Sequence, residues 1–262
     1  MNKELPNAAS NLSDQTKNYF LIGMQGIIKN LSPSYFAMVM ATGIVSIACE
    51  LTSMPMIAMG MFWLNIFAYL ILWVAFSLRF IFFRKEFLND LFDHARGPGF
   101  FTTVAATCVL GAQFISALDN YEIAVILWLL AIILWLIITY TIFTTFTIKE
   151  NKPPLEEGIN GAWLLAVVAT QALAVLSARL SMHFEDHKLI INFFAFSMWL
   201  WGGMQYIWMI SLIFYRYTFF KLLPGDLTPP YWINMGAMAI SALAGTALIT
   251  NTPHAPFLLS IL

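Results

Sequence analysis

The sequence predicts an all-α integral membrane protein made of repeated helical hairpins of about 65 residues each. Three observations predict it. Of the 262 residues, 60% are hydrophobic and 10% charged, where a soluble domain carries about 25% charged. The charges are confined to short stretches between seven long charge-free runs. A short pattern also recurs four times along the chain. It consists of a helix breaker, an aromatic pair or near-pair, and then a step of small residues around a threonine-type position.

That pattern is clearest at Pro98-Gly-Phe100-Phe101, which leads to Ala106-Thr107-Cys108. Its counterparts are Pro33-Ser-Tyr35-Phe36 before Ala41-Thr42-Gly43, and Gly161-Ala-Trp163-Leu164 before Ala169-Thr170-Gln171. The fourth is Pro229-Pro-Tyr231-Trp232 before Ala237-Met238-Ala239. Thr42, Thr107, Thr170 and Met238 are 65, 63 and 68 residues apart, the spacing of a repeated structural unit.

Taken in order, residues 1–30 are polar and mixed in charge and read as a soluble leader with no secretory signal pattern, ahead of a transmembrane domain over 31–262. The charge-free runs follow at 30–49, 51–78, 97–118, 123–148, 158–178, 189–215 and 227–262. A bilayer core of about 30 Å needs roughly 20 apolar residues per helix, so each of the first six runs fits one span. The seventh run is 36 residues long and is interrupted at Asn251-Thr-Pro253-His254. It holds one span and the start of another. The expected count is seven complete spans and a partial eighth.

Lys and Arg orient the spans. With the N-terminus inside, eleven fall on the cytoplasmic side, and only Arg179 and Lys188 fall outside. This predicts a multi-pass inner-membrane protein with a cytoplasmic N-terminus. The odd and even spans differ in character. From Pro98 to Ala117, 11 of 20 residues are Gly, Ala, Ser, Thr or Cys, whereas Ile123 to Ile142 is dominated by Leu, Ile and Trp. Small residues let helices approach closely in lipid, and long apolar side chains suit a lipid-facing surface. The odd helices are therefore expected to form an inner ring and the even helices an outer one.

Pro33-Ser-Tyr-Phe-Ala-Met-Val-Met-Ala-Thr-Gly43, Gly97-Pro-Gly-Phe-Phe-Thr102 and Pro229-Pro-Tyr-Trp-Ile-Asn-Met-Gly236 resemble the tellurite-resistance/C4-dicarboxylate transporter family. That family includes the plant slow anion channels and the bacterial TehA proteins. The resemblance covers roughly Leu31 to the C-terminus. It implies ten helices in five hairpins, five odd helices around a pore in each subunit, and a possible homotrimer. It implies small anions as cargo: C4-dicarboxylates such as malate, sulfite, or tellurite-type oxyanions. The chain departs from the family pattern in reaching only the start of the fourth hairpin's second helix. The family's occluding phenylalanine lies on a ninth helix, so no gate residue is carried over. The expectation is a C-terminally truncated form or a shorter variant.

Residues four apart share a helix face. Thr42, Thr107, Thr170 and Met238 hold one repeat position, Met38, Thr103, Ala166 and Asn234 lie one turn earlier, and Ser46 lies one turn later. If the odd helices line a conduit, its wall is expected at Thr42, Ser46, Thr103, Thr107, Thr170, Asn234 and Met238. Hydroxyls and small side chains offer weak hydrogen bonds without trapping an ion. The competing reading is that each hydroxyl bonds its own backbone or a neighbouring helix.

Other chemistry is sparse. No charge lies deep within a span, which disfavours an obligate proton symporter. His183 and His187 have the spacing of a helical metal pair, with Glu185 between them, and would serve an intramembrane metal-dependent enzyme. Their place in a charged outer loop makes surface histidines the simpler reading, and His94 reads as an inner-face interfacial residue. Cys49 and Cys108 lie in apolar runs and read as packing residues. No phosphate loop, nucleophile elbow or catalytic triad pattern appears, and a net charge of −1 gives no basis for nucleic-acid binding. The sequence therefore points to no enzyme and no cofactor. A non-functional truncated transporter is a further alternative.

Overall fold

The computed structural model describes residues 25–184, 186–221, 223–226, 228–255 and 257. Most of the leader expected at 1–30, and the partial eighth span, therefore lie outside the described residues. Among those described there is no strand, and seven long helices dominate. They are α1 (Phe36–Leu51), α2 (Pro55–Phe82), α3 (Phe101–Leu118), α4 (Tyr121–Ile148), α5 (Leu165–Ser181), α6 (Lys188–Phe219) and α7 (Ile233–Thr250). A short polar helix, Arg84–Leu91, sits between α2 and α3.

Each of the four recurrent breaker stretches forms a 3-10 turn that runs straight into a helix of the odd series. These turns are Pro33–Tyr35, Gly97–Phe100, Gly161–Leu164 and Pro229–Trp232. Proline suits such starts because its missing N–H would be unpaired there in any case. Ser32 accepts from the Ser34 amide at 3.3 Å, and Asn160 accepts from the Ala162 amide at 2.8 Å, so two turns carry side-chain caps. Consecutive turns touch. The contact between the third and fourth requires glycine, because a Cβ on Gly161 would collide with the Pro230 carbonyl. At the opposite end, α3 stops where Asp119 adopts a left-handed conformation (φ 51°), and Asn120 then caps α4 by accepting from the Ile123 amide at 3.0 Å.

Among the described residues α1, α3 and α5 each pack against the even helix that follows, and α1, α3, α5 and α7 lie side by side in that order. Burial follows this placement. Every residue of α5 except Arg179 is buried, as is α3 from Phe101 to Ile115. In α2 only a narrow stripe is buried: Ala58, Phe62, Asn65, Tyr69, Leu72, Phe76 and Arg79. The spacing of three and four is one face of a helix. The opposite face, with Trp63, Phe67, Leu70 and Val74, is exposed and apolar, as a surface against hydrocarbon should be.

Among the described residues, six helices are long and apolar enough to cross a bilayer: Pro33–Leu51, Pro55–Phe82, Gly97–Leu118, Tyr121–Ile148, Gly161–Ser181 and Pro229–Thr250. The sequence expects seven complete spans. The difference lies in α6, which at 32 residues has the length but not the apolarity. Asn192, Gly202, Gly203, Gln205 and its Trp and Tyr residues dilute its aliphatic content.

The end of the bundle carrying the 3-10 turns is tied by basic residues at the C-terminal ends of the even helices. Arg79 Nε donates to the Lys29 carbonyl at 3.0 Å, Lys149 Nζ to the Phe92 carbonyl at 3.2 Å, and Arg216 Nε to the Glu156 carbonyl at 2.8 Å. In each case the acceptor lies just ahead of the odd helix of the same hairpin. Arg79 is 1% exposed and pairs with Asp90 at 2.6 Å, and Asp90 also meets Arg96 at 2.9 Å. Arg216 bonds the Tyr231 hydroxyl and lies 3.6 Å from Asp226.

Candidate functional site

The polar groups of the odd helices form an extended set of hydrogen-bonding side chains inside the described bundle, so the site is built from them first. Their local placement follows from the helix period. Thr103 and Thr107 are one turn apart on α3, as Ala166 and Thr170 are on α5.

The seven candidates do not share one surface. Thr107 is fully buried and its hydroxyl donates to the Thr103 carbonyl at 2.7 Å. With that proton committed, the contact of 2.8 Å with the Tyr69 hydroxyl makes Tyr69 the donor, so Thr107 faces α2. Thr170 accepts from Trp135 Nε1 on α4 at 2.8 Å. Its own proton is shared between the Ala166 carbonyl at 2.8 Å and Gln205 Oε1 on α6 at 3.0 Å. Ser46 donates to the Ala58 carbonyl of α2 at 2.9 Å, and Thr103 to the Phe100 carbonyl at 2.8 Å. These four hydroxyls satisfy backbone or hold the even helices against the odd ones.

Thr42 is half-buried, while Asn234 and Met238 are exposed. Asn234 accepts from the Tyr206 hydroxyl of α6 at 2.9 Å. A common device results. Tyr69, Trp135 and Tyr206, each on an even helix, extend a polar tip to Thr107, Thr170 and Asn234 on the odd helix of the next hairpin. Aromatic residues with a polar end suit that position, since the ring packs while the tip finds a partner.

Sequence reasoning missed a second set, the buried amides. Asn65 Nδ2 on α2 donates to Gln113 Oε1 on α3 at 2.5 Å, leaving Asn65 Oδ1 and Gln113 Nε2 without partners. Gly43 of α1 presses on this pair; a Cβ there would come 3.0 Å from both amides. Gln171 of α5 donates to the Trp199 carbonyl at 3.1 Å across Gly202 of α6. Asn251 Nδ2, just past α7, faces the Ala178 carbonyl, Ser181 Oγ and Asn192 Oδ1 at 2.7, 3.0 and 2.8 Å. The signal for them is a carboxamide inside a charge-free run, since such groups are costly in lipid unless bonded.

An apolar cavity of about 460 Å³ lies between α2 and α4, floored by Phe100 and Thr103 and walled by Trp73, Phe76 and Ile138. It contains no charged side chain. Cys108 and Cys49 are free thiols. His183 stacks on Tyr121 with ring centres 4.4 Å apart, and Glu185 lies outside the described residues. Among the described residues no three His, Cys, Asp or Glu side chains gather as metal ligands would. His94 is buried against Phe146, the rings stacked at 4.1 Å. Burial holds its imidazole below the ordinary histidine range; Lys149 and Lys152 push the same way and Asp93 opposes them.

Comparison with known proteins places the chain in a family. A family model described as voltage-dependent anion channel matches residues 30–260. An uncharacterised transporter of Methanocaldococcus jannaschii is 30% identical over 241 residues, covering 87% of this chain and 67% of the relative. A second uncharacterised transporter of the same archaeon is 28% identical over 247 residues, covering 88% and 68%. An uncharacterised membrane protein of Mycobacterium tuberculosis is 48% identical over 44 residues, 17% of this chain and 22% of that one. With nearly its whole length matched and its apolar helices in place, this multi-pass membrane chain belongs to the voltage-dependent anion channel family.

Proposed function

We propose that the chain conducts small anions across the inner membrane, along a path walled by the odd helices of successive hairpins. The observation that carries this reading is the character of α3 and α5. Both are buried almost throughout, and they bring hydroxyls and carboxamides into the bundle but no carboxylate. A conduit for anions needs donors and small side chains, and a buried carboxylate would repel its cargo. In this reading the even helices face lipid, α6 completes a seventh span, and the Lys/Arg bias holds the N-terminus in the cytoplasm.

Within that path we assign Thr42, Asn234 and Met238 to the wall, since they keep accessible surface on α1 and α7. Ser46, Thr103, Thr107 and Thr170 then shape the wall from behind by fixing the even helices. The cargo class that fits is the oxyanion or small dicarboxylate: malate, sulfite, tellurite-type ions. A homotrimer matches the exposed apolar faces of α2 and α4. Reconstitution into liposomes under a KCl gradient tests the reading. The expected result is a reversal potential on the anion side and uptake of sulfite or malate. A cation-side potential, or no flux of any anion at verified incorporation, overturns it.

A further inference from the structure

Arg179 interrupts the burial of α5 in the last turn of the helix, and its surroundings are unusual for a charge in this bundle. Its guanidinium reaches across to α3, where one terminal nitrogen donates to Ser116 Oγ at 2.8 Å and the other to the Ala112 carbonyl at 3.3 Å. Both acceptors are neutral. The other two arginines that close helices here, Arg79 and Arg216, each have a carboxylate within 4.0 Å. Among the described residues Arg179 has none; Glu50, on the last turn of α1, acts on it only from farther away.

A guanidinium carries five donors in a planar fork, and an uncompensated one in a partly buried site is retained at a cost. Two of its donors fix it between α3 and α5, the two helices most deeply buried in the bundle. Among the described residues no hydrogen bond engages the rest of the fork. A bland role exists, because a cation in the last turn also complements the helix dipole. That role needs no bridge to α3 and gives no reason for the missing carboxylate.

We infer that Arg179 is an anion-recruiting site at the end of the path distant from the 3-10 turns, taking oxyanions and carboxylates through its free guanidinium donors. Ser116 and the Ala112 carbonyl hold the fork in place, so the free N–H edge is presented rather than left to swing. This rests on the anion-conducting reading above. Chloride suits such a fork less well than sulfite or malate, whose two oxygens match it in pairs.

Two measurements test it. In proteoliposomes of the full chain, R179Q should raise the half-saturating sulfite concentration about tenfold and move the KCl reversal potential towards zero. R179K should keep the anion-side potential while losing part of the preference for sulfite over chloride, because lysine supplies charge without the fork. On the unmodified protein, sulfite should slow phenylglyoxal labelling of Arg179 several-fold and leave labelling of Arg84 unchanged, read by peptide mass spectrometry. If wild-type liposomes pass no anion, the function reading falls, and protection of Arg179 then judges the site alone. Anion flux with an unchanged half-saturation and potential in R179Q overturns the inference. Labelling of Arg179 that ignores sulfite overturns it too, even if R179Q does not fold.

Discussion

The Tyr69 hydroxyl lies 2.8 Å from the Thr107 hydroxyl, joining an even helix to the next hairpin's odd helix at a point where both are buried. Thr107→Leu would break that bond and force bulk into a filled seam, costing about 1–3 kcal/mol by overpacking. Tyr69→Phe removes only the hydroxyl, and the coupling between the two sites should be about 0.6 kcal/mol, as for hydrogen bonds between membrane helices generally. A double-mutant cycle read by thermal unfolding in detergent measures it. Equal losses for Leu129→Ala, on the exposed face of α4, would contradict the placement.

Two adjacent glycines of α6 should respond oppositely to alanine. A Cβ on Gly202 would sit 2.5 Å from Gln171 Nε2, whereas at Gly203 nothing lies within 4 Å. Gly202→Ala should cost about 1–3 kcal/mol through displacement of the Gln171 amide. Gly203→Ala should be neutral or stabilising by up to about 1 kcal/mol, because alanine is the better helix former. Comparing the two melting temperatures decides it.

Asp90 holds two arginines of very different burial. Removing it in Asp90→Ala strands the Arg79 charge in a site 1% exposed, which should cost about 3–5 kcal/mol. Arg96→Ala removes a side chain 48% exposed and should cost no more than about 1 kcal/mol. Chemical denaturation of the two variants should rank them in that order.

His94 should make stability depend on pH. Its folded pKa is depressed, chiefly by burial, so the unfolded chain takes up the proton first as pH falls. Stability is therefore full above the ordinary histidine value of about 6.5 and declines as pH drops below it, until the folded group itself titrates. Replacing His94 by Phe keeps the stack on Phe146 and should flatten this slope. Melting temperatures at neutral and mildly acidic pH show whether it does.

Topology can be checked without function. Cysteine placed by Glu185→Cys should react with an impermeant maleimide applied to intact cells. Reaction only after permeabilisation would invert the orientation argued from the Lys/Arg bias.

Much of the bundle is legible in the sequence because charge is excluded from hydrocarbon, so the charge-free runs by themselves mark out helices. The four helix starts are legible for a similar reason, since prolines, glycines and aromatics recur there at a fixed spacing. The direction of the hydroxyls is not. Thr107 could face inwards or towards α2, and the choice is made by Tyr69, 38 residues earlier, through a bond no local pattern encodes. Arg79 is equally opaque: counting Lys and Arg to orient the chain treats it as a loop charge, while the fold buries it against Asp90. In α6 the charge-free run marks the helix but not its apolarity, because tryptophan, glutamine and glycine stand where the other long helices carry leucine.

The three basic clasps at the ends of α2, α4 and α6 bear on how the chain is made. Each closes only after its hairpin has been synthesised, over 50, 57 and 60 residues, and each returns to a carbonyl of the same hairpin rather than to a later one. A hairpin leaving the insertion machinery can thus lock its own two ends before the next one emerges. Assembly by this route advances in steps of one finished pair, and the helix-to-helix bonds from Tyr69, Trp135 and Tyr206 then register each new pair on the last.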